Sequence, residues 1–322
     1  MAIDTIHIDI PLQPIVKLTD NSSVVDANTG EIKYSQGYIE CIKVKQYVDR
    51  IRLECSLPKL IKGQNIYSLT YDQVKEAFNK IEELLKINIS EGIIRRLDIE
   101  FTINTKYDVK DYFKFFGTSN YYKRSEVEKT SLYYQNKSRV INLYDKGKAA
   151  KAKHEEISNE HNGKKLMRFE CRYRNTFLKK LARNFGLEIF RVSDIFSEDI
   201  FRLLMKQVLL EYESIHKINE PILKLEVQSK TAFNKQLLRI AIDHLGGVNK
   251  MLDLIDGLKA LNPDISKEHF SRRKKEVKEL SKICMSTMPA LINELNNEIY
   301  NIYLSKIEFN NDLEITQKNK FL

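Results

Sequence analysis

No tryptophan, no Cys-x-x-Cys pair, no His-x-His pair and no long apolar run occurs in this chain of 322 residues, and proline and glycine number only 6 and 11. So little proline and glycine, with 42% hydrophobic and 30% charged residues, excludes a disordered or low-complexity chain and leaves enough apolar side chains for a real core. Cys41, Cys55, Cys171 and Cys284 are scattered. With no apolar leader at Met1-Ala-Ile-Asp4, they point to a reduced, intracellular protein, and the expected compartment is the cytoplasm. No apolar stretch approaches the roughly 20 residues that span a bilayer, so no membrane partner is expected.

The length accommodates one large domain or two of ordinary size. A net charge of +9 predicts an anionic partner. From Lys137 to Arg183 there are 14 Lys and Arg against 5 Asp and Glu, a surplus equal to that of the whole chain. Part of this stretch, Lys146 to Lys165, also reads as a solvated lysine-rich loop. Arginines inside the alternating segment after Leu166 are harder to explain that way.

The first 60 residues read as strands: Ile3 to Ile10, Tyr38 to Val44 and Val48 to Ser56. Apolar spacing then turns helical from Thr70 to Lys86, behind a Thr70 cap. A strand near Arg96, a helix over Val109 to Phe116, a hairpin of Thr130–Gln135 and Arg139–Lys146, and an arginine-rich strand follow. This order predicts an α+β domain over residues 1–186, with an antiparallel sheet flanked by helices. Residues 187–322 read as all-helical, with helices near Ser197–Ile215, Thr231–Leu245, Val248–Ala260 and Lys267–Cys284 and more beyond Pro289. Short helices ending in the basic stretch Ser271-Arg-Arg-Lys-Lys275 suggest a helix-turn-helix in which Arg272 and Arg273 contact DNA. A solvated basic helix gives the same pattern.

Three segments alternate polar and apolar residues: Arg96-Leu-Asp-Ile-Glu-Phe-Thr102, Val140-Ile-Asn-Leu-Tyr-Asp-Lys146 and Arg168-Phe-Glu-Cys-Arg-Tyr-Arg174. Strand side chains two apart share a face, so one side presents Asp98, Glu100, Asn142, Tyr144, Lys146, Arg168, Glu170, Arg172 and Arg174. Asp98 and Glu100, supported by Glu170, are oxygen donors suited to Mg²⁺ or Mn²⁺. Tyr144 is a nucleophile that needs an adjacent cation or base, and Lys146 lies two residues on. Arg168 or Arg172 is expected to clamp a phosphate, with Arg174 and Lys148 as further DNA contacts. Tyr133 and Tyr134 compete for the nucleophile role. The six histidines stand singly, so the histidine metal site of many DNA-nicking enzymes is absent from the sequence. A solvated sheet side would show the same acidic alternation.

Four segments, in order, resemble the gene II/gene X replication proteins of filamentous phages and their plasmid relatives. Ser56-Leu-Pro-Lys-Leu-Ile-Lys-Gly-Gln-Asn65 is similar to the segment before the family's first long helix, and Ile94 to Thr102 is similar to its Arg-(Ile/Leu)-Asp strand. Ser131-Leu-Tyr-Tyr134 with Ser138 to Lys146 resembles its nicking-tyrosine hairpin, and Leu166 to Leu178 its Arg-Phe-Glu strand. The likeness covers roughly Ser56 to Leu187. It implies a rolling-circle replication initiator of the bacterial host cytoplasm that nicks one origin strand and stays attached through a 5′-phosphotyrosine. It leaves a 3′-hydroxyl for host polymerase and later rejoins the displaced strand. The resemblance sets the nucleophile at Tyr144, the lysine at Lys146, the strand acid at Asp98 and the Arg-Phe-Glu pair at Arg168 and Glu170. Glu100 departs from the phage pattern. Origin DNA, single-stranded or melted, is the implied partner, with host helicase and polymerase. The alternative is a non-enzymatic winged-helix initiator that binds origin sites and recruits helicase.

Overall fold

The computed structural model describes residues 2–11, 17–66, 68–127, 130–155, 161, 163–221, 227–282 and 286–307. In chain order the first elements are β1 (Ala2–Pro11), β2 (Thr19–Val25), β3 (Ile32–Ile39), β4 (Ile42–Gln46), β5 (Arg50–Ser56), α1 (Leu57–Lys62) and α2 (Tyr71–Leu85). Next come β6 (Ile93–Asn104), α3 (Val109–Phe113), β7 (Phe116–Ser119), β8 (Lys123–Val127), β9 (Ser131–Gln135), β10 (Arg139–Asp145), α4 (Lys146–Ala152) and β11 (Leu166–Arg174). Then follow α5 (Asn175–Asn184), α6 (Val192–Ile195), α7 (Glu198–Glu213), β12 (Ile215–Lys217), β13 (Glu220–Pro221), α8 (Lys230–His244), α9 (Gly247–Leu261), α10 (Lys267–Leu280), β14 (Ser286–Thr287) and α11 (Ala290–Ile307).

Ten of these strands form one sheet in the order β2-β3-β4-β5-β1-β6-β11-β10-β9-β8. Every neighbouring pair is antiparallel. The expected α+β class with a large antiparallel sheet therefore holds. The sheet's apolar face carries Ile6, Ile8, Leu97, Ile99, Phe101, Leu143, Phe169 and Tyr173, and α2, α5, α7 and α11 bury their apolar stripes in the same core. Phe101 stacks on Phe169 at 4.9 Å, and Tyr212 of α7 meets Phe169 edge-on at 5.7 Å. Each such side chain removed from water contributes about 1.5–3 kcal/mol.

α2 forms where its spacing predicts. Val74, Phe78, Ile81 and Leu85 share one buried side, and Thr70 closes a capping box with Gln73. Elsewhere the chain departs from expectation. Tyr38 to Val44 is not one strand but the β3–β4 hairpin, turned at Glu40 with φ +50° and no glycine or proline to announce it. The helix expected over Val109–Phe116 stops at Phe113, because Phe116–Ser119 pairs with β12. Strands β2 and β3 flank the turn Asn28-Thr-Gly30, which reads from the sequence as lying between extended segments, whereas β8 is not legible from the sequence.

Packing does not change at residue 186. Phe190, Val192, Ile195, α7 and part of α11 belong to the first core. Within residues 187–322 a separate small core lies in α8, α9 and α10, around Ile242, Ile255, Phe270, Val277 and Leu280. The helical stretch is therefore two things: a layer that completes the sheet domain, and a compact three-helix unit. Cys284, expected at the end of a helix, lies outside the described residues. No helix among the described residues is long and apolar enough to cross a membrane.

Candidate active site

Register brings the three alternating segments together as neighbouring strands. Across β6, β11 and β10, Glu100 faces Glu170, which faces Asn142, and Tyr133 of β9 continues the rung. The next rung pairs Asp98 with Arg172, and a rung on the other side pairs Thr102, Arg168 and Tyr144. These side chains share the sheet face opposite α2, α5, α7 and α11. On that face Ile66 of the Gly63–Ile66 turn, Ala150 of α4 and Leu166 of β11 form a small apolar cluster.

Arg168 is fully buried. Its Nε donates to Thr102 Oγ1 at 2.9 Å and lies 3.3 Å from Glu100 Oε2, and its terminal nitrogens donate to Asn65 Oδ1 at 2.6 Å and the Ile66 carbonyl at 3.0 Å. The sequence reading assigns it to a DNA phosphate. Its donors are instead spent inside the protein, where they fix the Asn65 turn and balance Glu100. Asp98 is likewise enclosed. Arg96 holds both its oxygens, and Arg172 Nε donates to Oδ2 at 3.2 Å. A second arm of Arg172 reaches Glu170 Oε1 at 3.3 Å.

The hydroxyl of half-buried Tyr144 donates to Glu170 Oε2 at 3.3 Å. Burial pushes the Tyr144 phenol up, partly offset by Arg168. Burial, reinforced by the Asp98 carboxylate, pushes Glu170 up to about 7. Lys146 does not sit on the strand: β10 ends at Asp145, whose side chain caps α4, and Lys146 opens that helix. Its ammonium is buried 3.8 Å from Glu155, and burial, then Arg168, brings it down to about 8. Parity along a single strand predicts a Tyr144–Lys146 pair; the partner of the Tyr144 hydroxyl is Glu170.

Tyr134 points to the other face, buried in the core with its hydroxyl on the Gly117 carbonyl at 2.6 Å. Tyr133 remains on the site face, two strands from Glu170. Arg174 and Lys148 are exposed at the margins, donating to the Lys137 carbonyl and pairing with Asp145 respectively. Arg272 and Arg273 are exposed on α10, in the separate three-helix unit.

Sequence reasoning misses Asp4. A β-bulge between Ile3 and Thr5 turns the Asp4 carboxyl into the site, where Ser56 Oγ and Asn65 Nδ2 donate to it at 3.2 and 3.4 Å. Burial raises its pKa, partly offset by Arg168. The signal is a slip in parity: Ile6, Ile8 and Ile10 are even-numbered and Ile3 is odd. Four acids, Asp4, Asp98, Glu100 and Glu170, thus face three arginines, and Oε1 of Glu100 is buried without a hydrogen-bond partner among the described residues. All the donors are oxygens, the set that Mg²⁺ or Mn²⁺ takes. Among the described residues no three acidic, histidine or cysteine side chains are already gathered round one point.

One face of the antiparallel sheet thus carries a tyrosine, arginines and carboxylates. The family of the replication-associated gene II protein, N-terminal region, matches residues 3–192, and the chain belongs to that family, the filamentous-phage gene II type of replication initiator. Membership places it in the initiation of rolling-circle replication. The match reaches back to β1, well before the segments whose likeness is legible by eye, and so takes in Asp4. No curated protein shows a significant match to the chain.

Proposed function

We propose that the protein nicks one strand of origin DNA with Tyr144 as nucleophile and later rejoins the displaced strand. The observation that carries this reading is the Tyr144 hydroxyl on the Glu170 carboxylate, whose pKa near 7 suits a general base at neutral pH. Tyr144 Oη attacks the phosphorus and its proton passes to Glu170 Oε2. The bond from phosphorus to the 3′ oxygen breaks, and the departing oxygen takes a proton from the Lys146 ammonium, whose pKa near 8 keeps it charged but able to donate. The products are a 5′-phosphotyrosine and a free 3′-hydroxyl. Rejoining runs the same steps backwards and needs no ATP, since the phosphotyrosine keeps the energy of the cut bond. Host polymerase would extend the 3′-hydroxyl behind a host helicase.

A divalent ion fits the surplus of buried carboxylate oxygen. Asp98, expected as a ligand, is committed to Arg96 and Arg172, and Glu170, also expected, to Arg172 and the Tyr144 hydroxyl, so Glu100 through Oε1 and Asp4 are the residues that would hold the ion. When bound, it would polarise a phosphate oxygen and offset charge developing in the transition state. Arg172 would keep Glu170 aligned, leaving Oε2 for the phenol.

The test is covalent capture. The protein is mixed with a labelled single-stranded origin oligonucleotide and Mn²⁺, then run on a denaturing gel. A shifted, protease-sensitive adduct is expected, absent from Tyr144→Phe and present in Tyr133→Phe. An undiminished adduct in Tyr144→Phe would remove Tyr144 from the role.

A further inference from the structure

On the site face, but toward the other end of the strands, an open cleft of about 520 Å³ is lined by Arg50, Arg52, Arg95 and Arg96 with His7 and the acids Asp9, Asp49 and Glu54. None of these arginines belongs to the tyrosine site except Arg96, which joins the two by holding Asp98. We infer that this cleft is a binding track for the backbone of a single DNA strand, with Tyr47 and Tyr34 at its border as a stacking platform for unpaired bases. The inference rests on the nicking reading for its biological meaning, but its physical basis is separate.

Asp9 is the organiser. It is buried, and Arg52 grips both its oxygens at 2.6 and 2.9 Å. Arg95 Nε donates at 2.9 Å, and Arg50 Nε lies 3.9 Å away. Arg95 gets there because a second bulge, between His7 and Ile8 in the β1–β6 pairing, turns it out of alternation. A guanidinium carries five N–H donors, so with Arg52 and Arg95 on Asp9, Arg50 Nη1 on Asp49 at 2.8 Å and Arg95 Nη1 on Asn175 at 3.4 Å, the three forks still keep donors over. Arg50 Nε is buried without a hydrogen-bond partner among the described residues. The side chains stay about one third open to solvent: 34% for Arg50 and 30% for both Arg52 and Arg95. Forks fixed in place by a buried acid and still open on one side suit phosphate oxygens, which arginine binds in bidentate fashion.

The aromatic border decides between single strand and duplex. The Arg50 guanidinium lies 4.3 Å over the Tyr47 ring, and Tyr34 lies 4.9 Å from Tyr47. Bases inside a duplex are stacked on one another, so a half-exposed ring pair meets only unpaired bases. From the Tyr144 rung, Arg96 is two strands across and six residues along, on the order of 20 Å. The cleft would therefore hold a strand whose scissile phosphate is at Tyr144.

Binding of a fluorescein-labelled 20-nucleotide oligo(dT) to the full chain is followed by anisotropy across a salt series. Arg50→Ala, Arg95→Ala and Tyr47→Ala are each expected to weaken binding about tenfold at 0.1 M salt. The arginine variants should also lower the salt slope by about 0.7 for each phosphate no longer neutralised. Their thermal melts are recorded in parallel, and Arg95→Lys, which keeps charge, should recover part of the loss. Unchanged affinity and slope in well-folded Arg50→Ala and Tyr47→Ala would overturn the track. A 20-base-pair duplex binding as tightly as oligo(dT), with equal sensitivity to Tyr47→Ala, would overturn the single-strand assignment. Failure of the nicking reading looks different: no adduct forms with wild type while the cleft variants still lose oligo(dT) affinity.

Discussion

Tyr144 and Glu170 do not face each other across the β10–β11 ladder: Tyr144 is opposite Arg168 and Asn142 is opposite Glu170, and the 3.3 Å hydrogen bond runs diagonally. Diagonal neighbours on a sheet face are within reach of long side chains. Arg168 turns away to Asn65 and Ile66, which leaves the phenol to the next acid along. A proton acceptor of pKa near 7 therefore meets the hydroxyl of a phenol held above its usual range.

Cleavage should consequently be bell-shaped in pH. The rate rises as Glu170 loses its proton through about pH 7 and falls as Lys146 loses its own through about pH 8. Single-turnover adduct formation measured from pH 5.5 to 9.5 checks this. Glu170→Gln removes the acidic limb and slows adduct formation by about 10²–10⁴. A rate independent of pH between 6 and 9.5 would refute both assignments.

The same substitution should stabilise the protein. Glu170 is raised from the ordinary glutamate value, so the folded state binds its proton more tightly than the unfolded state. Stability from this group is then present at low pH and is lost as pH rises from the unfolded value, near 4.3, through about 7. Above pH 7 the buried carboxylate is a cost that glutamine does not carry. Glu170→Gln is expected to raise the melting temperature by a few degrees at pH 8, on the order of 2 kcal/mol, and to change little at pH 4.5. Paired melts without added divalent ion measure it.

Much of this face is legible because strand alternation is a strong local signal. Leu97, Ile99 and Phe101 go inward while Asp98 and Glu100 go outward, and Phe169, Cys171 and Tyr173 do the same beside Glu170 and Arg172. The rest depends on contacts between segments distant in sequence. Alternation gives a side, not an exposure: Arg168 shares Glu170's face yet is sealed by the Asn65 turn, about a hundred residues earlier. It also assumes unbroken strands, so the two bulges that aim Asp4 and Arg95 escape it. Lys146 is misplaced for a local reason, since Asp145 caps a helix that the glycine at 147 disguises as a loop.

Arg168 should prove structural rather than DNA-contacting. Arg168→Ala leaves Glu100 buried with its charge unpaired, which costs about 3–5 kcal/mol. Replacing the pair together, Arg168→Met with Glu100→Leu, should recover most of that loss, because apolar packing substitutes for a buried ion pair. Urea denaturation of the two variants discriminates. If Arg168→Ala unfolds like wild type and only weakens DNA binding, the phosphate-clamp role returns.

Ion affinity separates the four acids. Asp4 is held by two neutral donors, Ser56 and Asn65, whereas Asp98 is neutralised by Arg96 and Arg172. Asp4→Asn and Glu100→Gln are expected to weaken Mn²⁺ binding at least tenfold, about 1.4 kcal/mol. Asp98→Asn should leave it within a factor of three while lowering the melting temperature, since it strips two arginines of their partner. Titration of the Mn²⁺ electron paramagnetic resonance signal reads the affinity directly, without DNA. Equal losses for Asp98→Asn and Asp4→Asn would restore Asp98 as a ligand.

The three-helix unit of α8, α9 and α10 offers a different kind of DNA contact. Its core is confined to Ile242, Ile255, Phe270, Val277 and Leu280, and α10 turns Arg272 and Arg273 outward. Arg273 is paired with Glu276 at 2.7 Å, a solvent-exposed ion pair that a phosphate can displace at little cost. These arginines lie far along the chain from the tyrosine face, so their removal should leave cutting of a short single strand untouched. Arg272→Ala with Arg273→Ala is expected to weaken binding to duplex origin DNA and to flatten its salt slope by about 0.9 for each phosphate no longer neutralised. A drop that is uniform over unrelated duplexes would mark them as backbone contacts. A drop confined to origin sequence would make α10 a base-reading helix. No change in either would return the basic stretch to a solvated surface.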